Sequence, residues 1–370
     1  MSIPIYKPYL PKSSLQYAHD ALDSTWISSQ GKYIRMVEEK LKDLLGVKYV
    51  LPVNNGTSAC HLVAKALKRK YNLDEIIVPN NVYVAALNAF LFDNDWKLYS
   101  VECDINTWNY DLNALDAAIM AHPKAAVLLV HNMGGIINKP ELQRKYPNTV
   151  FVEDACEAFL GKYENQYAGT ASFANAFSTF ANKTVCSGEG GFAIFDDEST
   201  YNLMKCVHAQ GQSSERFIHN ELGYNFRITN IQSAILMGQL EIVDQILEMK
   251  NDIFNIYRNI FKDREDVLLQ EQVINTVSAN WMFGIRLPKQ QDYSTAEIYF
   301  KEKGIEIRPM FYYVGEHLHI LNNQKNTLDG GAVAKQLNNQ CIVLPSYPEL
   351  TIDEQMYIVD TVEEYIKELK

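Results

Sequence analysis

The sequence predicts an α/β protein: a large domain with a mostly parallel sheet flanked by helices, then a smaller C-terminal α/β domain. Strand-like apolar runs alternate with helical patterns through the first half of the chain, and that alternation implies a parallel sheet covered by helices. The chain is 47 % hydrophobic and 21 % charged, which removes bulk disorder. Its 370 residues exceed what one core comfortably holds, so two units are expected, 1–245 and 246–370.

The elements follow in order. Residues 48–53 read as a short strand. Asn54-Asn55-Gly56-Thr57-Ser58 then turns into a helix with apolar residues at Ala59, Leu62, Val63, Ala66 and Leu67, which is helical spacing. Residues 75–79 form a second strand and 82–92 a helix. Residues 125–131 and 149–152 are buried strands, the latter ending at Glu153-Asp154, and 176–180 and 191–195 are two more. From Thr229 the texture changes. Ile235, Leu240, Ile242, Val243, Ile246 and Leu247 predict one long helix over 231–258, connecting two lobes. Beyond it, 278–287 and 304–311 read as strands, and 353–369 as a closing amphipathic helix. In sheets of this kind ligands collect at the C-terminal strand ends.

Charge and cysteine usage narrow the function. The formal net charge of −11 argues against a nucleic-acid or anionic-membrane surface as the main partner. The six cysteines stand alone, with no CxxC pair, as in buried free thiols of a reducing compartment. No metal-ligand spacing appears: His317 and His319 lack a nearby cysteine. No apolar run reaches the roughly 18 residues of a membrane helix, and the N-terminus carries no apolar signal core. A cytoplasmic address is expected. The glycosylation sequons at Asn55 and Asn182 are better read as parts of a site.

Three segments could carry chemistry. Asn55-Gly56-Thr57-Ser58 stands between a strand and a helix, where unpaired N–H groups favour phosphate; on its own it reads more readily as a plain helix cap at Thr57 or Ser58. No GxGxxG is present, which disfavours a dinucleotide site. Asp154 ends a buried strand, as a functional carboxylate or as an exposed cap of the next helix. Lys183 stands between the aromatic strand Phe177-Ser178-Thr179-Phe180 and the glycine-rich Gly188-Glu189-Gly190-Gly191, as a nucleophile or as a surface turn lysine. Together, in this order, a phosphate cradle, a strand-end Asp and a Lys are what pyridoxal 5′-phosphate (PLP) requires: a Schiff-base amine, a partner for the pyridinium nitrogen and a phosphate site.

The chain resembles the sugar-nucleotide aminotransferases of the DegT/DnrJ/EryC1/StrS family. The resemblance rests on Trp26-Ile-Ser-Ser-Gln-Gly31, Asn55-Gly-Thr57, Glu153-Asp-Ala155, Ser178, Asn182-Lys-Thr184 with Gly188-Glu-Gly-Gly191, Gly223-Tyr-Asn-Phe-Arg227, Arg308-Pro309 and Leu344-Pro-Ser-Tyr-Pro348. It is nearest to the perosamine- and viosamine-type 4-aminotransferases. The family implies an aspartate-aminotransferase-like architecture (PLP fold type I) with a seven-stranded type of sheet. It implies Lys183 as the Schiff-base lysine and proton shuttle, Asp154 on the pyridine nitrogen, Glu157 near the ring hydroxyl and Tyr83 on the ring face. Gly56, Thr57 and Ser178 would hold the phosphate, with Asn225 reaching it from the second subunit of a homodimer. Trp26, Ser28, Lys32, Arg227 and Arg308 are the expected substrate-side residues.

The implied reaction moves the amino group of L-glutamate, leaving 2-oxoglutarate, to C4 of a nucleotide-linked 4-keto-6-deoxyhexose. A UDP- or dTDP-linked gluco sugar (viosamine) is preferred and GDP-4-keto-6-deoxymannose (perosamine) comes next; transfer at C3 of a 3-ketosugar and a non-catalytic ligand-binding protein are the alternatives. Family members with His for the lysine are dehydratases, and this chain keeps Lys183. Three departures stand out. Glu157 replaces the frequent Gln, Ser172-Phe173 replaces a Gly-Asp, and Tyr313 and Gly315 stand where relatives often continue to a Pro and a His.

Overall fold

The computed structural model describes residues 2–328 and 330–369. Seven strands make the main sheet: β1 Tyr49–Val53, β2 Glu75–Pro79, β3 Lys97–Val101, β4 Ala126–Val130, β5 Phe151–Asp154, β6 Ala174–Ser178 and β7 Gly191–Phe195. Their order is β1-β7-β6-β5-β4-β2-β3, with a short eighth strand, Thr327–Leu328, added parallel to β3. The strand β7 runs against its neighbours, β1 and β6; the other pairings are parallel. The sheet is therefore mostly parallel, as the β-α-β alternation requires.

Both faces are covered, and successive residues divide between two cores. In β7, Ala193 and Phe195 join one apolar cluster while Phe192 and Ile194 join the other. In β4, Ala126, Leu128 and Val130 face the first cluster while Val127 and Leu129 face a third. The helix Gly56–Tyr71 packs Leu62, Val63, Ala66 and Leu67 into the first cluster. On the opposite face lie helices Lys32–Leu45 and Asn230–Leu240.

A second sheet joins Leu268–Leu269, Phe283–Arg286, Cys341–Leu344 and Arg308–Pro309, all antiparallel. Helices Val243–Phe261, Tyr293–Glu302 and Ile352–Leu369 close over it on Phe254, Tyr257, Phe283, Phe300 and Ile358. The N-terminal segment returns here: Ile3 bridges Ile305.

Several expected elements differ. The single helix over 231–258 is two, Asn230–Leu240 and Val243–Phe261; Ile242 breaks the helical path with ψ near 24°, and Thr229 caps the first helix with a Gln232 capping box. The strand expected over 278–287 is confined to Phe283–Arg286, because Asn280 takes a left-handed φ of 49° and 278–280 bond to the loop at Gly134 and to each other. The strand expected over 304–311 is only Arg308–Pro309, where Pro309 has no N–H for a longer ladder. The strand expected over 149–152 sits two residues later, at Phe151–Asp154, so Glu153 and Asp154 belong to the sheet. The division at residue 245 falls inside the helix Val243–Phe261. We propose that helix as the joint between units 1–245 and 246–370, although Thr327–Leu328 reaches back to the large sheet. No helix among the described residues is long and apolar enough to cross a membrane.

Candidate active site

The C-terminal ends of β1, β5 and β6 meet at one edge of the sheet. The loops leaving them line a cavity of about 640 Å³.

The first wall is the start of the helix Gly56–Tyr71. Asn55, not Thr57 or Ser58, is its cap: the extended Asn55 accepts from Ser58 N at 2.8 Å. Thr57 therefore keeps its hydroxyl for the cavity it lines. Gly56 has no room for a side chain: a Cβ there would lie 2.7 Å from Ser178 Cβ. Gly191 is equally tight, its Cβ position being 2.5 Å from the Phe177 carbonyl oxygen and 2.9 Å from Gly56 N. These two glycines let β6, β7 and the helix start close together, which brings Ser178 beside Gly56 and Thr57.

Asp154 ends β5, opposite Val130 of β4 and Ala176 of β6. It is buried, and its Oδ1 accepts from Cys156 N at 2.9 Å. The exposed helix cap is thus excluded, since among the described residues no helix follows it before Glu198. The adjacent Glu153 points to the other face. There it accepts from Ser172 Oγ at 2.6 Å, Gly169 N at 2.9 Å and Tyr163 Oη at 3.2 Å, and pairs with His131 Nε2 at 3.0 Å. Burial raises this carboxyl, but His131, Ser172 and Gly169 outweigh it and hold the group below its ordinary value. The departure at Ser172 thus supports the strand that carries Asp154, and Phe173 packs edge-on against Tyr71.

Lys183 sits on the excursion between β6 and β7, which is tied across its base by Thr179 N to Gly190 O and Ala181 N to Gly188 O. It is no surface turn lysine: its side chain is 13 % exposed, and Nζ lies 3.9 Å from Glu157 Oε1 and 3.8 Å from the centre of the Trp281 ring. Glu157 is buried, and its Oε2 accepts from Met133 N at 2.8 Å. Burial pushes the Glu157 carboxyl up to about 7; Lys183 and the Met133 N–H pull against this, and Asp154 adds to it.

Tyr83 and Arg308 also line the cavity. Tyr83 is 58 % exposed, its ring 6.0 Å from that of Phe311. Asn225 is exposed and outside the cavity; its carbonyl accepts from Asn54 Nδ2 at 3.3 Å. Arg227 likewise stays outside, with Nε donating to Ser29 Oγ at 3.2 Å. Lys32 pairs with Asp20 at 2.8 Å. Trp26 and Lys32 line a separate, open hollow of about 610 Å³. Ser28 stands beside it, its carbonyl accepting from Asn230 N at 2.6 Å. Within one chain, then, Lys183, Asp154, Glu157, Gly56, Thr57, Ser178, Tyr83 and Arg308 come together, while Asn225, Arg227, Trp26, Ser28 and Lys32 do not.

The sequence reading missed Trp281, Tyr312 and His317, which line the cavity from the far half of the chain. Burial and the neighbouring His319 hold His317 below its ordinary value. It lies two residues past Gly315, so a histidine reaches the cavity despite the departure there. Cys60 and Cys156 also border it; with Asp154 their donor atoms lie within 4.8 Å of one another, and all six cysteines are free thiols. No local motif marks Trp281, because its partners lie far away in sequence.

The chain matches the model of the DegT/DnrJ/EryC1/StrS aminotransferase family over residues 8–363. It is 32 % identical over 368 residues to a GDP-perosamine synthase of Escherichia coli O157:H7, with 98 % of each chain covered. It is 30 % identical over 373 residues to a GDP-perosamine synthase of Vibrio cholerae, covering 98 % of this chain and 99 % of that one. Among solved structures, the GDP-4-keto-6-deoxy-D-mannose-3-dehydratase of E. coli with bound hydrated PLP superposes with a TM-score of 0.89 at 23 % identity, over 98 % of this chain and 99 % of that one.

Proposed function

The chain belongs to the DegT/DnrJ/EryC1/StrS aminotransferase family, and we propose that it uses PLP to move the amino group of L-glutamate to C4 of a nucleotide-linked 4-keto-6-deoxyhexose. One observation carries this reading: an amine, a buried strand-end carboxylate and a helix N-terminus open into the same cavity. The residues fit the cofactor. Gly56, where a Cβ would meet Ser178 and Cys156, starts a helix at the cavity, and a helix N-terminus is a natural seat for a phosphate. Asn182 Oδ1 is buried at the cavity wall without a hydrogen-bond partner. The donor set also matches, with a carboxylate for a protonated ring nitrogen and an amine for an aldehyde.

When bound, PLP supplies the electron sink through which an amino group leaves one carbon and joins another. The protein supplies the rest. Gly56, Thr57 and Ser178 bind the phosphate, and Asp154 holds the proton on the ring nitrogen. Tyr83 and Glu157, which line the same cavity, would hold the ring. Lys183 Nζ would be the amine that holds the aldehyde and the group that moves protons beside it. Asn225 serves the phosphate of a second copy, so the working unit is a homodimer. Arg308, Arg227, Lys32, Trp26 and Ser28 are assigned to the nucleotide sugar. The site works in the cytoplasm, where its free thiols stay reduced.

The relatives bear on the choice of sugar. Both relatives described above at 30 % identity or more are named GDP-perosamine synthases, which favours GDP-4-keto-6-deoxymannose over the UDP- or dTDP-linked gluco sugar preferred from sequence. The test is direct. Purified protein loaded with PLP shows a visible absorbance band that glutamate bleaches and 2-oxoglutarate restores. A panel of GDP-, UDP- and dTDP-linked ketosugars, read by mass and NMR, then identifies the acceptor. Lys183→Ala abolishes both bleaching and product; unchanged turnover in that variant overturns the proposal.

A further inference from the structure

We propose that Trp281 is a positioning residue for the Lys183 amine, holding it on the indole face whenever it is not bonded to the cofactor. The inference rests on the assignment of Lys183 as the reacting amine. Its own basis is geometric.

The Lys183 Nζ stands 3.8 Å from the centre of the Trp281 ring, well inside the range of a cation–π contact. Glu157 Oε1 is 3.9 Å away, so the amine is held between a ring face and a carboxyl. A lysine side chain has four rotatable bonds, and a proton shuttle works only if its nitrogen returns to one place. The ring face defines that place, and Trp281 is itself fixed. It is 5 % exposed, and its Nε1 donates to the Asn182 carbonyl at 2.9 Å, on the residue before the lysine. Its own carbonyl accepts from Lys250 Nζ at 2.8 Å, and the same buried amine also donates to Ser346 O.

The lysine backbone is held from another direction. Tyr6 Oη, from the N-terminal segment, donates to the Lys183 carbonyl at 3.0 Å. The Tyr6 ring lies 5.4 Å from Lys250 Nζ, which closes the circuit. Trp281 is the member of this set whose side chain touches both the amine and the backbone of the lysine loop.

The experiment separates ring face from N–H. Trp281→Phe keeps a ring and loses the Nε1 donor; Trp281→Met fills similar space without a ring. In the PLP-loaded full-length enzyme, Trp281→Met is expected to lower kcat roughly five- to thirtyfold, with the KM for glutamate within about twofold. Trp281→Phe is expected to stay within about threefold of the parent kcat. A second readout is independent of turnover. In the cofactor-free full chain, Trp281→Met and Lys183→Met are combined in a double-mutant cycle on the unfolding equilibrium constant. The double substitution is expected to be about three- to fivefold less disruptive than the product of the singles, and with Trp281→Phe the coupling persists. Equal kcat losses in the Phe and Met variants, or an additive cycle, overturn the proposal. If Lys183→Met still transaminates, the assignment of the lysine falls instead, and the two failures are told apart.

Discussion

Replacing Glu157 by Gln should remove a pH-dependent weakness from the cavity floor. The carboxyl is buried, and its value rises from 4.5 to about 7, first because of burial, with Lys183 and the Met133 N–H opposing and Asp154 adding. A carboxyl raised by folding is favoured in its neutral form. Its contribution is fully present below pH 4.5 and is lost as pH rises through about 7. At about 1.4 kcal/mol for each pH unit, that interval corresponds to a loss of up to about 3 kcal/mol. The amide of Glu157→Gln would mimic the neutral acid at every pH and could still accept from Met133 N, which donates at 2.8 Å in the parent. The assay is urea unfolding of both cofactor-free proteins from pH 4.5 to 8, followed by tryptophan fluorescence. The variant should match the parent at the acid end and exceed it increasingly towards pH 8. Titrating groups that do not interact with Glu157 cancel in the difference. Parallel stability curves across this window, or a parent that gains on the variant as pH rises, would refute the reasoning.

Two further outcomes follow from the geometry. Gly56→Ala places a Cβ 2.7 Å from Ser178 Cβ and should cost about 1–3 kcal/mol of stability while weakening phosphate binding, read by urea unfolding and by PLP titration. Lys250 is fully buried, and burial lowers its amine from 10.5 to about 7. Folding therefore favours the neutral amine, so its contribution is largest above pH 10.5 and declines as pH falls towards 7. Against Lys250→Met, the parent should gain thermal stability between pH 7 and 10; a constant difference across that range contradicts the assignment.

The part of the molecule legible in the sequence is the part encoded locally. Strands β1, β4, β5 and β6 are short apolar runs, and their periodicity is enough to place them within a few residues. The Lys183 excursion and the Asn55–Ser58 turn are contiguous, so their residues could be named before any contact was known. What stayed hidden depends on distant partners. The Ile242 break is invisible because Leu240, Ile242, Val243 and Ile246 keep helical spacing across it; only the packing of Leu240 and Val243 into the same cluster fixes the turn. Trp281 read as one more apolar residue of a strand, because its partners Asn182, Lys183 and Lys250 lie 99, 98 and 31 residues away. Glu153 stands next to Asp154 in sequence and is fully buried. Strand alternation sends it to the opposite face, where it anchors β5 through Ser172 and His131.

The same distinction explains why substrate identity is harder to read than cofactor chemistry. The wall proposed for the cofactor is built at the ends of β1, β5 and β6, where strand register sets Asp154 and Ser178 relative to one another. The facing wall, with Arg308, Tyr312 and His317, is carried by a segment that leaves a two-residue strand and is pinned only at points. Tyr313 is one such point: it bridges Asn81, and its ring fills the space a Cβ would take at Gly315 and at Gly331, 2.3 Å and 2.8 Å from the built positions. The departure at Tyr313 and Gly315 therefore acts on the backbone that presents Tyr312 and His317, and does not enter the cavity itself. A residue that shapes a pocket through the seating of a loop alters the wall with Arg308, Tyr312 and His317 while leaving Lys183 and Asp154 untouched. A chain can thus keep a lysine and a strand-end carboxylate in place while the facing wall of the same cavity diverges.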